Sequence, residues 1–201
     1  MSTNALPETV AVRFEPASAA QDVATVEAIA ALVNAVYDVA ESGLWADGAQ
    51  RTSPAEVAEL IADGQIATAR AGGRLVGAVR FRSLDSEVAE FGMLAADPEW
   101  RGRGVGRDLV AFAEASAAAS GHRTMQLEVL VPRTWTHPSK EFLRAWYARL
   151  GYRVERVTHL EELYPDLAPL LATECDLEVS RKPLVGASTR ENTTRSSPSV
   201  Q

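Results

Sequence analysis

The chain has 201 residues, 46% of them apolar and 23% charged, with 27 acidic against 20 basic side chains and a formal charge of −7. That length suits a single domain with its own core, and the acidic balance argues against a general nucleic-acid surface. The one cysteine, Cys175, excludes an internal disulfide; His122, His137 and His159 lack metal-ligand spacing, so no metal is expected. No long apolar run for a membrane span or signal peptide is expected either, which makes the cytoplasm the default location.

Met1 to Pro7 reads as a frayed end. Val10, Val12 and Phe14 then alternate with small or charged residues as in an amphipathic strand. Val26, Ile29, Ala30, Val33, Val36 and Tyr37 mark one helix face, closed by Ser42-Gly43. Glu41 to Ser53 is loop, where Trp45 and Arg51 stand out as side chains able to grip a ligand or to pack over a helix end. Ser53-Pro54-Ala55-Glu56 is a capping box with proline at the first helical position, predicting a short helix to Gly64. Gln65 to Ala71, Gly72-Gly73 and Arg74 to Phe81 form a hairpin, because two glycines supply the positive φ values of a tight turn. Arg80 and Arg82 fall on the face opposite Val79 and Phe81.

Ser86 to Ala96 is the next strand. Asp97-Pro98 ends it, and Gly102, Gly104 and Gly106 follow at alternate positions before an amphipathic helix marked by Val105, Leu109, Phe112, Ala113 and Ala117. The first NH groups of that helix lack intrahelical partners, so its start is an anion site. Arg101, Arg103 and Arg107 add fixed positive charge, which favours a ligand with two or more phosphates. The bland alternative is a tight glycine turn on a basic surface. Neither a G-x-x-x-x-G-K-[ST] phosphate loop nor a G-x-G-x-x-G dinucleotide fingerprint is present.

Gly121 ends this helix. Met125 to Val131 is an apolar run with one carboxylate, Glu128, inside it. Such a charge is either paired with an arginine for structure or held in a cleft with a perturbed pKa. Pro132 to Pro138 is a loop, and Lys140 to Leu150 a helix with Phe142, Trp146 and Leu150 on one face. Tyr152 to Leu160 reads as a strand, Glu161 to Ala172 as a proline-broken helical connection, and Cys175, Leu177 and Val179 as a last strand closed by Leu184. One domain over residues 8–185 is expected. Residues 186–201 have too few apolar side chains to offset their ordering entropy, and a disordered C-terminal tail is expected there.

Arg101-Gly102-Arg103-Gly104-Val105-Gly106 after a strand resembles motif A of the GCN5-related N-acetyltransferases (GNAT), [RQ]-x-x-G-x-[GA]. Lys140 to Tyr152 resembles the N-x-x-A-x-x-[LF]-Y-x-x-x-G-[FY] segment of the same family, with Tyr147 on the tyrosine, Lys140 in place of asparagine and Leu143 in place of a small residue. The resemblance covers about Val10 to Leu184. It implies an α/β fold with a mixed, mostly antiparallel sheet of about seven strands and helices on both faces.

It also implies acetyl-CoA as co-substrate. The pyrophosphate would lie on the glycine loop (Arg101, Gly102, Arg103, Gly104, Val105, Gly106, Arg107), and pantetheine would pair with main-chain groups from Leu94 through Ala95 to Ala96, where the family often has valine at the last. Lys140 would face the CoA arm. The amine acceptor, a small molecule or peptide, would lie near Tyr37, Trp45 and Arg51, and a homodimer is compatible with the family.

The activity implied is acetyl transfer to an amine by direct attack, and no Cys, Ser and His constellation suggests an acyl-enzyme. Tyr147 would act on the thiol side and Glu128 as base, with Glu90 on the neighbouring strand as second candidate. An α-amino group, with a pKa of about 8, needs little help from a base; a lysine amine near about 10.4 needs much more. Two other readings stay open. VNAVYDVAESGLW faintly resembles N-acyl amino acid and acyl-homoserine-lactone synthases, which use longer acyl chains, and a noncatalytic CoA-binding module would need neither Tyr147 nor Glu128.

Overall fold

Two consecutive glycines set the first half of the sheet. Gly72 and Gly73 both take positive φ (55° and 88°), and the turn they make joins β2 (Ile66–Ala71) to β3 (Arg74–Ser83) as an antiparallel hairpin. The structure, a computed structural model, describes residues 9–184. The expected frayed end and the expected tail over 186–201 lie outside the described residues. β1 (Val10–Phe14) adds to β2, and β4 (Val88–Ala96), β5 (Thr124–Pro132), β6 (Arg153–His159) and β7 (Cys175–Pro183) complete a seven-stranded sheet of order β1-β2-β3-β4-β5-β7-β6. The mixed, mostly antiparallel sheet expected from the family resemblance is therefore present.

The single parallel pair, β4 with β5, is short. It holds from Val88 to Glu90 against Thr124 to Gln126 and then opens, so the β5-facing edge of β4 has no strand partner from Phe91 onward. The register of β4 on β3 also skips between Gly92 and Ala95. Met93 sits in that skip at φ 49°, the one non-glycine residue with positive φ among those described.

Helices cover both faces. α1 (Val23–Ala40) and α2 (Pro54–Ala62) bury Val26, Ile29, Ala30, Val33, Val57, Leu60 and Ile61 against Ile66, Ala78, Met93 and Ala95. Ser53 caps α2 as expected, its Oγ accepting from the Glu56 N–H, while the Glu56 carboxylate takes the Thr52 hydroxyl. α1 corrects one expectation. Its mean hydropathy over 18 residues is 1.5, enough by length and composition to cross a membrane, yet Val26, Ile29, Ala30 and Val33 pack in this core.

On the other face lies α3 (Val105–Ala119), which packs Val105, Leu109, Ala113 and Ala117 with Val76, Val79, Phe91 and Met125. Gly77 makes that approach possible: a Cβ there would lie 2.7 Å from Val105 Cγ1 and 2.8 Å from Leu109 Cδ1. α4 (Pro138–Arg149) also departs from expectation. It buries Lys140 and Tyr147, with Leu143, Trp146 and Leu150 partly covered, and leaves Phe142 55% exposed. A third cluster (Leu44, Leu130, Leu160, Cys175, Leu177) joins the loop after α1 to α5 (Leu160–Leu163) and β7.

Candidate active site

The glycine loop begins as a proline turn, Pro98–Trp100, capped by Asp97. Gly102 (φ 80°) and Gly104 (φ 88°) then take backbone conformations that L side chains rarely adopt, and Gly104 is the N-cap of α3. No side chain caps this helix, so its leading N–H groups stay open for an anion. Arg101, Arg103 and Arg107 are exposed, with Arg103 lying 4.6 Å from the Trp100 ring centre. None of the three pairs with a carboxylate among the described residues. A diphosphate fits this donor set: free backbone amides, close backbone approach and unneutralised guanidinium groups.

Beside the loop, the split between β4 and β5 opens into a cleft of about 980 Å³. Gly92, Met93 and Leu94 line it from β4, Glu128, Val129 and Leu130 from β5, Lys140, Leu143 and Tyr147 from α4, and Tyr37 from α1. Ala95 and Ala96 pair with Ala78 and Gly77 on β3, and the Ala95 side chain is buried in the core, so Ala95 can meet a ligand only through its main chain.

Tyr147 is buried among Phe91, Trp146 and Tyr152, with ring centroids 6.0, 4.9 and 6.0 Å away. Its hydroxyl makes no hydrogen bond among the described residues, and since no buried polar side-chain atom among them is left unpaired, the hydroxyl opens onto the cleft. Burial, reinforced by nearby Tyr37, pushes its phenol far above the ordinary value, so it stays protonated and is a hydrogen-bond donor.

The two carboxylates of the split have different partners. Glu90 is 7% exposed, accepts from Arg82 Nε at 2.8 Å and Nη2 at 2.7 Å, and from Gln126 Nε2 at 3.0 Å. Glu128 has no arginine partner among the described residues and accepts from the Tyr164 hydroxyl at 2.7 Å. Burial raises the Glu128 carboxyl, Glu90 repels its charged form, and the Tyr164 hydrogen bond partly offsets both. Of the readings open for Glu128, the structure selects the cleft with a perturbed pKa. Glu90, the second base candidate, is the carboxylate held by arginine. Tyr164, directly after α5 in the chain, was not visible as a site residue; a tyrosine before Pro165 carries no signal pointing 36 residues back to Glu128.

Lys140 and Trp45 meet on one carboxylate at the end of α1. The Lys140 ammonium is buried on Glu41 Oε1 at 2.5 Å, and Trp45 Nε1 donates to Glu41 Oε2 at 2.6 Å. A buried ammonium needs a counterion, and Glu41 at the end of α1 supplies it, so Lys140 braces the cleft wall that it lines. Trp45 likewise packs over the helix end and bridges to Leu171. Arg51 lies over Tyr37, 5.3 Å from its ring centre, and burial raises the Tyr37 phenol while Arg51 opposes that shift.

Residues 62–154 match the family model of the acetyltransferase (GNAT) domain, a span that includes the β4–β5 split, the glycine loop and α4. A search of the curated protein sequences finds no match. Among solved structures, an aminoglycoside 6′-N-acetyltransferase complexed with coenzyme A is similar at 15% identity and TM-score 0.62, covering 82% of this chain and 93% of that one. A protein from Salmonella typhimurium solved with its cofactor acetyl-CoA is similar at 14% identity and TM-score 0.61, over 92% and 99% of the two chains. The ribosomal-protein-S18-alanine N-acetyltransferase from Escherichia coli is similar at 14% identity and TM-score 0.58, over 90% and 98%. At such identities these likenesses speak for the fold. The domain match takes in the loop and the split: over residues 62–154 the chain is similar to the acetyltransferase (GNAT) domain.

Proposed function

We propose that residues 8–185 form one acetyltransferase domain that moves the acetyl group of acetyl-CoA to a primary amine by direct attack in a ternary complex, in the cytoplasm. The observation that carries this reading is the pairing in one cleft of a carboxylate with no arginine partner among the described residues, Glu128, and a phenol whose hydroxyl opens onto the cleft, Tyr147. The glycine-loop amides and Arg101, Arg103 and Arg107 hold the diphosphate, and the open edge of β4 at Leu94 to Ala96 hydrogen-bonds the pantetheine arm. Coenzyme A or acetyl-CoA in the two similar structures supports that donor.

In the transfer, the amine nitrogen forms a bond to the carbonyl carbon, the C–S bond breaks, and its electron pair leaves on sulfur. Glu128 takes the proton lost by nitrogen, directly or through a water, and its raised pKa makes it a better acceptor than an ordinary surface carboxylate. Tyr147 donates a hydrogen bond to the departing sulfur; with its phenol pushed so far up, full proton transfer to a thiolate of ordinary pKa about 8.5 is uphill.

Thiol release from acetyl-CoA in the presence of a panel of amines tests the reading. Turnover with at least one amine is expected, with Tyr147→Phe lowering kcat and leaving the acetyl-CoA KM nearly unchanged. Binding of CoA without turnover of any amine would instead favour the noncatalytic module, and turnover only with long-chain acyl-CoA would favour the acyl synthase relatives.

A further inference from the structure

The cleft holds two positive charges that find no counterion among the described residues. Arg80 leaves β3 partly buried, and its Nε donates at 2.9 Å to the neutral amide oxygen of Gln65. Arg51 reaches in from the loop before α2 and lies over Tyr37. Neither forms an ion pair with any described residue. The two acids near Arg80 are already engaged: Glu90 by Arg82 and Gln126, Glu56 by the Thr52 hydroxyl at 2.9 Å.

Burial pulls the Arg80 guanidinium below its ordinary value, and repulsion from Arg82 and Arg51 adds to that, partly offset by Glu90 and Glu56. Partly desolvated guanidinium groups crowded together are costly unless an anion joins them. Elsewhere in the same cleft that problem is solved internally, by Glu41 for Lys140 and by Glu90 for Arg82. Arg101, Arg103 and Arg107 are no part of the cleft lining and serve the loop. Arg51 and Arg80 instead share the lining with Glu128.

We infer that the acceptor is a small amine that also carries an anionic group, a carboxylate or a phosphate, held by Arg80 and Arg51 while its amine faces Glu128. This rests on the amine-acetylation reading above. A polyamine or other cationic acceptor would meet two unneutralised arginines, so the same pair that attracts a zwitterion rejects a polycation. Arg51 is further braced by the Tyr37 ring, which presents its guanidinium to the cleft at little cost in side-chain freedom.

The test is thiol release from acetyl-CoA with the common amino acids, their carboxamides, 2-aminoethylphosphonate and spermidine. Each good acceptor should exceed its own uncharged counterpart in kcat/KM by about 10- to 100-fold, the worth of a charge-assisted hydrogen bond or two. The amino acids and the phosphonate separate carboxylate from phosphate as the preferred anion. Arg80→Gln and Arg51→Gln should raise the acceptor KM by a similar factor, leave the acetyl-CoA KM in place and erase the difference between acid and carboxamide. Equal or better turnover of the carboxamides or spermidine overturns the inference while keeping amine acetylation, as does an unchanged acid preference in the double variant. No turnover of any amine by a protein that binds CoA would remove the parent reading and this inference with it.

Discussion

The two halves of the candidate site are built in opposite ways. The donor half is one unbroken stretch, from the splayed end of β4 through the glycine loop into the first turn of α3, and its properties are local: two positive φ values, an uncapped helix start and three exposed arginines. The acceptor half draws single residues from α1, the loop before α2, β3, β5, α4 and the stretch after α5. In the first, chemistry follows from the backbone; in the second it follows from which charge finds which partner. Glu90 and Glu128 show the difference, since both are carboxylates in apolar strands and only their neighbours separate them.

The sharpest way to break this comparison is to exchange those two acids. Glu128→Gln should lower kcat/KM for the amine by about 10²- to 10⁴-fold and abolish the acidic limb of its pH profile. The base must be deprotonated and burial raises its pKa, so in the parent protein activity falls as pH drops through a value higher than that of an unburied glutamate. A carboxyl with a raised folded pKa contributes stability below its unfolded pKa and loses it as pH rises through the folded one. At neutral pH Glu128 therefore costs stability, and Glu128→Gln should not lower Tm there. Glu90→Gln should do the reverse, costing about 1.5–3 kcal/mol by stripping Arg82 of its partner, while the acidic limb persists and moves to lower pH because the Glu90 charge no longer raises Glu128. Tyr164→Phe should move that limb to higher pH, because the lost hydrogen bond is the one that favours the charged form of Glu128.

A second test addresses the donor half alone. Gly104→Val forces a β-branched residue to φ 88° and places its Cβ 3.1 Å from Arg107 Nη2. CoA affinity by calorimetry should fall on the order of tenfold or more, with the fold checked by circular dichroism. At Gly106 a Cβ would make ordinary contact with Trp146 at 3.7 Å, so Gly106→Ala should fold normally and report only on the approach of the ligand. If both variants keep full affinity, the loop is not the diphosphate site.

Gly77→Ala probes what holds the donor half in place. The added methyl must displace Val105 and Leu109 at the start of α3, and a loss of about 1–3 kcal/mol in denaturant unfolding is expected, with weaker CoA binding as the loop shifts. The smallest effect belongs to deletion of residues 186–201, which carry almost no apolar side chains. Tm and CoA affinity should both be unchanged, and a drop of several degrees would show that the segment packs.

The amino-acid sequence by itself determined the features that a few neighbouring residues encode. Ser53-Pro54-Ala55-Glu56 started α2, Gly72-Gly73 turned the hairpin, and the alternating glycines placed the loop and the start of α3, because φ preference, capping and hydrophobic period act within a turn or two of chain. Tertiary structure alone decided the partners. Lys140 met Glu41 across 99 residues, Glu128 met Tyr164 across 36, and Arg80 was left with Gln65 while Arg82 took Glu90. A charged side chain in an apolar strand announces that it needs a partner but not which one, since the choice depends on how strands and helices from distant parts of the chain are brought together. That is why the glycine loop could be placed from the sequence, while the Glu41 partner of Lys140 and the different partners of Glu90 and Glu128 emerged only in the folded chain.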